Sequence, residues 1–234
     1  TNIHGHDEDL AAGRILRFSK HSKWFSYHKF QHFYSFLLYG LMTINWAITG
    51  DFIQTFRYLK KKLSFKKFIN PRKQWLNLIL TKIIYFIIWI VLPIIFLDLV
   101  WWKILIGFFI MHYIAGVILT TIFQLAHVVE NVDMPIPSYD GNMKNTWAIH
   151  QLFTTSNFST NNKLINWFSG GLNFQVEHHL FPGISHIHYK KISKIVKDTA
   201  FEFNLPYNEY STTREAIKSH FNFLKLMGTK PSII

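Results

Sequence analysis

The chain has 234 residues, 49% of them hydrophobic and 18% aromatic, with 25 Lys and Arg against 13 Asp and Glu and a formal net charge of +12. It holds no cysteine, which excludes disulfides, thiolate-ligated haem, cysteine-held iron–sulfur clusters and cysteine zinc sites in this stretch. A basic balance fits nucleic acid or the anionic face of a membrane; no nucleic-acid motif is present and the apolar residues lie in long runs, so the membrane is the expected partner and nucleic acid is not.

Residues 1–30 are polar and basic, with Arg14, Arg17, Lys20, Lys23 and Lys29. The chain opens at Thr1 without Met or a signal-peptide pattern, and its polar start reads as the middle of a longer protein. Residues 33–49 are apolar and helical in character, and a second basic cluster follows over 57–73, with Arg57, Lys60, Lys61, Lys62, Lys66, Lys67, Arg72 and Lys73.

Two long apolar segments come next, over 76–100 and 104–126. Each exceeds the roughly 20 helical residues that a ~30 Å hydrocarbon core requires. They read as a transmembrane hairpin, with Pro93 as a kink and Trp101-Trp102-Lys103 as the interfacial turn. Basic clusters flank 33–49 on both sides, and the positive-inside rule puts both flanks in the cytoplasm. A single crossing cannot do that, so 33–49 is expected to be an in-plane or re-entrant helix. Residues 1–30, 57–73, His127 and residues 175–182 then all face the cytoplasm.

Beyond His127 the chain reads as a cytoplasmic helical part, loop-rich to about residue 170 and without clear strands. Residues 186–203 form an amphipathic helix with Lys190, Lys191, Lys194 and Lys197 on its polar side, at the membrane surface or on the core. Asn204-Leu205-Pro206 ends it. Thr212 and Glu215 form a capping box for a last helix that Gly228 closes. The expected class is an all-α membrane protein: a hairpin, an in-plane or re-entrant helix, and a helical cap, in a single domain over 1–234.

The most informative stretch is Gln175-Val176-Glu177-His178-His179-Leu180-Phe181-Pro182. On a helix Gln175, His178 and His179 stand at i, i+3 and i+4 on one face. Neutral imidazole is the commonest metal ligand and suits iron; a solvated histidine pair is the plainer reading. His127 ends the second apolar segment on the same side, which makes it a further ligand candidate. His112 lies about 22 Å further up the same helix at ~1.5 Å per residue and belongs to bundle hydrogen bonding. His21, His28 and His32 fit an interfacial stripe, and His4 and His6 flank Asp7, Glu8 and Asp9 in a polar loop. His150 is a candidate wall of the site, His186 and His188 suit the surface, and His220 has no supporting context. Gly170-Gly171 reads as a place of close backbone approach. No Glu-x-x-His pair, His-Glu-x-x-His or Gly-rich phosphate loop is present.

The run from Asn166 through Trp167, Gly170, Gly171, Asn173 and Gln175 to Pro182 resembles the third histidine box of the membrane fatty acid desaturases. Its leading Gln resembles the front-end branch and its bacterial acyl-CoA desaturase relatives. The opening, Thr1 to Asp9, resembles the segment just after the second box; the stretches from Gln124 to Glu130 and from Thr154 to Phe158 also resemble family segments. The resemblance implies a di-iron centre. By motif match His127, His178 and His179 would be ligands, and Gln175 would stand where other branches have a ligand histidine, binding iron directly or through water. Asn157 and Asn173 would support the ligands. It further implies O2, an acyl-CoA or lipid-linked fatty acid as substrate, and an electron donor of cytochrome b or ferredoxin type. The first two boxes lie outside these 234 residues, so this chain alone is not expected to assemble the full centre. A histidine-rich hydroxylase or ketolase, and a membrane metal-binding or transport protein, are the alternatives.

Overall fold

The computed structural model describes residues 1–7, 14–61 and 70–231. Glu8 and Asp9 of the acidic opening, and Lys62, Lys66 and Lys67 of the second basic cluster, lie outside the described residues. The chain divides into two compact units, residues 36–120 and residues 1–35 with 121–234.

In the first of these units, and in the residues that lead into it, the expected helix over 33–49 is two pieces. Helix α1 (Gln31–Tyr39) stops at Gly40, and α2 (Met42–Asn45) runs through a π-helical turn at Trp46–Gly50 into α3 (Asp51–Lys61). The two halves are bent by 62°, which suits a broken span or a re-entrant loop. The break lies where backbone must approach a neighbour. A Cβ on Gly40 would meet the Tyr113 ring, and one on Gly116 would meet the Gly40 carbonyl oxygen at 2.6 Å.

Among the described residues two helices are long and apolar enough to cross a membrane, Pro71–Phe96 and Trp101–His127. The first begins with α4 (Pro71–Phe86), where Asn70 accepts from the backbone N–H of Arg72 and Lys73 and Pro71 takes the first position. Pro93 does not break it. A π-helical turn at Ile87–Val91 precedes α5 (Leu92–Phe96) and accommodates the ring and its missing N–H. The turn between the helices is residues 97–100, around Asp98, and Trp101, Trp102 and Lys103 form the first turn of α6 (Trp101–His127) instead. Nothing in Trp-Trp-Lys breaks a helix, whereas Asp98 competes for backbone donors and favours the bend.

Within this unit His112 is satisfied by side chains from two other helices, as expected. Thr43 donates its hydroxyl to the His112 carbonyl at 2.7 Å, so the ring Nδ1–H donates to Thr43 at 3.0 Å and Nε2 accepts from Tyr85. Lys82 pairs with Asp51 at 2.6 Å.

Among the described residues the other unit holds the last turns of α6, two short 3-10 helices (Ser26–Phe30 and His186–His188), and α7 (Trp147–Thr154), β1 (Asn157–Phe158), α8 (Lys163–Phe168), α9 (Gln175–Leu180), α10 (Tyr189–Glu202), β2 (Glu209–Tyr210) and α11 (Thr213–Gly228). The two strands pair in parallel, Asn157 with Glu209 and Phe158 with Tyr210. At two residues each they are too short to show an alternating pattern, which is why no strand was expected. Helix α10 carries its lysines outward and packs Val196 and Ala200 against Leu152 of α7 and Val176 of α9. It ends in a Schellman turn: Asn204 is left-handed (φ 53°), Leu205 N–H donates to Ala200 and Asn204 N–H to Phe201.

Helix α11 has the expected capping box at Thr212 and Glu215. Its far end is satisfied by Arg17, which donates to the Met227 carbonyl at 2.6 Å, and by the Trp24 indole on Gly228 at 2.8 Å. Gly228 is needed for space, because a Cβ there would meet the His28 carbonyl oxygen. His220, fully buried on this helix, donates Nδ1–H to the Val128 carbonyl at 2.6 Å and so ties α11 to the chain leaving α6.

Gly116→Ala places a methyl against backbone that cannot move aside, and should cost about 1–3 kcal/mol. Gly107, on the same helix with nothing within 4 Å, is the control. Thermal unfolding in detergent should fall for Gly116→Ala and not for Gly107→Ala; equal behaviour would remove the close approach.

Candidate metal centre

His127 and α9 meet in the polar interior of the larger unit. The Gln175 carboxamide nitrogen lies 2.9 Å from His127 Nε2 and 3.0 Å from His179 Nε2. Protons can be assigned from Asn2. Its amide nitrogen donates to the His127 carbonyl at 2.8 Å, so its Oδ1, 3.1 Å from His127 Nδ1, accepts from that ring. His127 therefore carries its proton on Nδ1 and presents a bare Nε2. The Gln175 –NH2 donates to it, and its second hydrogen goes to the bare Nε2 of His179, whose Nδ1–H donates to the Thr1 hydroxyl at 3.0 Å.

Two neutral imidazole lone pairs thus converge on one amide group. Deep burial keeps them neutral: desolvation, with the neighbouring His178, pushes His179 down to about 4. A cation in the place of the amide hydrogens would find both Nε2 atoms aimed at it, and rotation of the carboxamide would add Gln175 Oε1. The donor set fits a metal ion as an incomplete shell. Among the described residues no group of three or more His, Cys, Asp or Glu side chains could hold one.

His178 stands apart from this pair. Its ring lies 5.5 Å from that of His179, and its Nδ1 contacts the Tyr189 hydroxyl at 3.3 Å. It lines an open cleft of about 480 Å³ with His179, His150, Trp147, Met143 and Pro182. His150 also contacts the Thr1 carbonyl at 2.7 Å. His4 packs against His21 at 5.7 Å, and His6 is exposed. His28 uses both nitrogens on backbone, accepting from Phe25 N–H and donating to the Arg14 carbonyl, and His32 packs edge-on to Phe221. His186 and His188 are exposed.

Helix α9 has six residues, too few to be stable alone. Asn157 holds its start: Oδ1 accepts from Val176 N–H at 2.9 Å, and Nδ2 donates to Glu177 at 2.8 Å. Asn173 bridges the preceding loop to β1, donating to the Phe158 carbonyl at 3.1 Å and accepting from Ser169. Gly171 (φ 81°) allows the approach of His186, whose Cβ a side chain would meet at 2.6 Å. Both asparagines therefore fix the helix and its entry loop.

The sequence of this region and of the whole chain has known relatives. The family profile described as Fatty acid desaturase matches residues 1–211. The chain belongs to the fatty acid desaturase family. It is 36% identical over 97% of its length to an sn-1 linoleoyl-lipid 6-desaturase of Synechocystis sp., covering 63% of that protein. It is 34% identical over 97% of its length to an acyl-lipid (8-3)-desaturase of Physcomitrium patens, covering 47% of it, and 32% identical to an acyl-lipid (8-3)-desaturase B of Dictyostelium discoideum, covering 52%. The chain thus spans about half to 63% of these desaturases. No solved structure matches it.

Sequence reasoning missed Asn2, Glu177 and Tyr207. Asn2 is buried and left-handed (φ 55°), which no pattern announces. Glu177 lies inside the box on the face opposite the histidines, fully buried, and accepts from Asn157 and from the Tyr207 hydroxyl at 2.9 Å. A lone carboxylate inside the box, on the helix face opposite the histidines, was the available signal.

Burial pushes the Glu177 carboxyl up to about 7 from 4.5, against the opposing pull of its two donors. Below the unfolded value both states are protonated. As pH rises through 4.5 to 7 the unfolded chain releases its proton first, so this group's stability contribution is lost. The His179 contribution has the opposite sign, lost as pH falls toward 4, and is common to a variant and its parent. With chelator present, the unfolding midpoint of Glu177→Gln should gain on the parent between about pH 5 and about pH 8; a pH-independent difference would contradict the buried-carboxyl account.

Proposed function

We propose that this chain is the C-terminal part of an O2-dependent, di-iron acyl-lipid desaturase that inserts a cis double bond into a lipid-linked acyl chain. The meeting of His127 Nε2 and His179 Nε2 at the Gln175 carboxamide carries this reading, and the acyl-lipid desaturases among the relatives favour a lipid-linked substrate over acyl-CoA. Both compact units belong to one desaturase domain, whose remaining ligands come from outside these residues; the chain alone is inactive.

An unactivated methylene has no acidic hydrogen, so acid–base groups cannot remove it. Bound iron would supply dioxygen activation. Two hydrogens leave adjacent carbons, O2 is reduced to two waters, two electrons come from a donor of cytochrome b or ferredoxin type, and two protons come from solvent. His127, His178 and His179 would hold the iron, with Gln175 bonding it directly or through water. Asn2 and Thr1 keep the Nδ1 protons of His127 and His179 in place, so that Nε2 stays free to bind. Asn157 and Asn173 keep α9 in register. The cleft beside His178 and His179, walled by Trp147, Met143 and Pro182, would receive the acyl chain in a mostly apolar slot. The basic flanks favour a site on the cytoplasmic side of a multi-pass membrane protein.

In the intact protein His179→Ala should abolish the double-bond product while the protein remains in the membrane fraction. Lipid mass spectrometry reads the outcome: loss of two hydrogens from the acyl chain is desaturation, and gain of one oxygen would replace this reading with a hydroxylase. Undiminished unsaturation in the variant would remove His179 from the iron shell.

A further inference from the structure

The short helix α8 presents one face that packs and one that does not. Asn162 caps it, accepting from the backbone N–H of Leu164 and Ile165 at 3.0 and 3.1 Å. Its inner side is fixed: Asn166 donates to the Thr160 carbonyl, Ser169 bonds Asn173, and Ile165 packs on Leu125, Phe158 and Ala216 beside Ile122. Leu164, Trp167 and Phe168, at i, i+3 and i+4, form the outer side and are 69%, 79% and 57% exposed. Three large apolar side chains are thus held outward on a polar scaffold, next to exposed Lys163.

What surrounds that face follows from the cluster α8 packs against, which takes in the end of α6. Helix α6 runs 27 residues, or ~40 Å at ~1.5 Å per residue, against a hydrocarbon core of ~30 Å. With Trp101 and Trp102 anchored at one boundary, the turns over residues 122–127 emerge into the headgroup layer on the other side. Leu125 belongs to those turns, and Ile165 packs against the cluster that Leu125 forms with Phe158 and Ala216. Helix α8 is therefore fixed at the depth where the span leaves the hydrocarbon. Trp is favoured at that depth, where its ring is solvated by acyl carbon and its N–H by headgroups, and a lysine beside it meets lipid phosphate.

We infer that α8 is an interfacial anchor whose Leu164, Trp167 and Phe168 sit in the bilayer beside the exit of α6, so that the lipid surface abuts the loop leading into the histidine-bearing α9. The inference rests on the span and on packing, not on iron chemistry, and the two fail independently.

The absence of cysteine from these 234 residues makes spin labelling direct. Labels are placed by Trp167→Cys, Phe168→Cys and Leu164→Cys, one at a time, in the full-length protein with any other cysteine replaced. The protein is reconstituted in phosphatidylcholine–phosphatidylglycerol nanodiscs, and collision with oxygen is compared with collision with a water-soluble nickel chelate. Ile114→Cys, an exposed position on the span, and Tyr139→Cys, fully exposed outside it, give the lipid and water references. The α8 labels should shift from the Tyr139 value toward the Ile114 value, with oxygen favoured over nickel. Labels that match Tyr139 would overturn the inference. So would labels shielded from both reagents, which would mean that another protein segment covers the face. Three positions keep the test decisive if one variant fails to fold.

Discussion

Two imidazoles from distant parts of the sequence point their bare Nε2 atoms at one carboxamide, and the surrounding structure serves to keep them there. His127 ends a helix of 27 residues, and His179 sits on one of six. Neither ring is positioned by its own helix alone. Asn2 grips His127 through both the ring and the backbone carbonyl, and Thr1 takes the His179 proton. Fixing the Nδ1 protons decides where the lone pairs are, and lone pairs that converge are what a metal ion binds.

The long helix and the short one are stabilised in different ways. Apolar composition places α6. The chain leaving it is then tied down by His220 on the Val128 carbonyl and by Ser219 on the Glu130 N–H. Helix α9 cannot be held by propensity, so polar side chains do it. Asn157 satisfies the Val176 N–H, and the buried Glu177 carboxyl, shared by Asn157 and Tyr207, ties α9 to the chain just before β2. Such a cluster is worth having only when each member finds a partner, and removal of one leaves the others buried and unpaired.

Much of this was legible in the sequence because it is periodic or local. The two spans, the amphipathic α10, the capping box at Thr212 and the shared face of Gln175 and His179 all follow from spacing within one element. What was not legible depends on contacts across the chain. The break at Gly40 is set by Tyr113 and Gly116; the two-residue strands exist only as a pair; Asn2 matters because His127 lies above it. The turn expected at Trp101-Trp102-Lys103 moved to residues 97–100 because aromatic residues at an interface start a helix as readily as they end one. Spacing puts Gln175, His178 and His179 on one face of α9, whereas the His178 ring meets Tyr189 and the cleft.

The central claim is that His127 is brought to α9 to bind iron with it. Iron content of the purified full-length protein tests this most directly, compared between the parent and His127→Ala with secondary structure measured on the same samples. The account predicts that the folded variant loses iron. A folded His127→Ala protein with the full iron complement of the parent would contradict it.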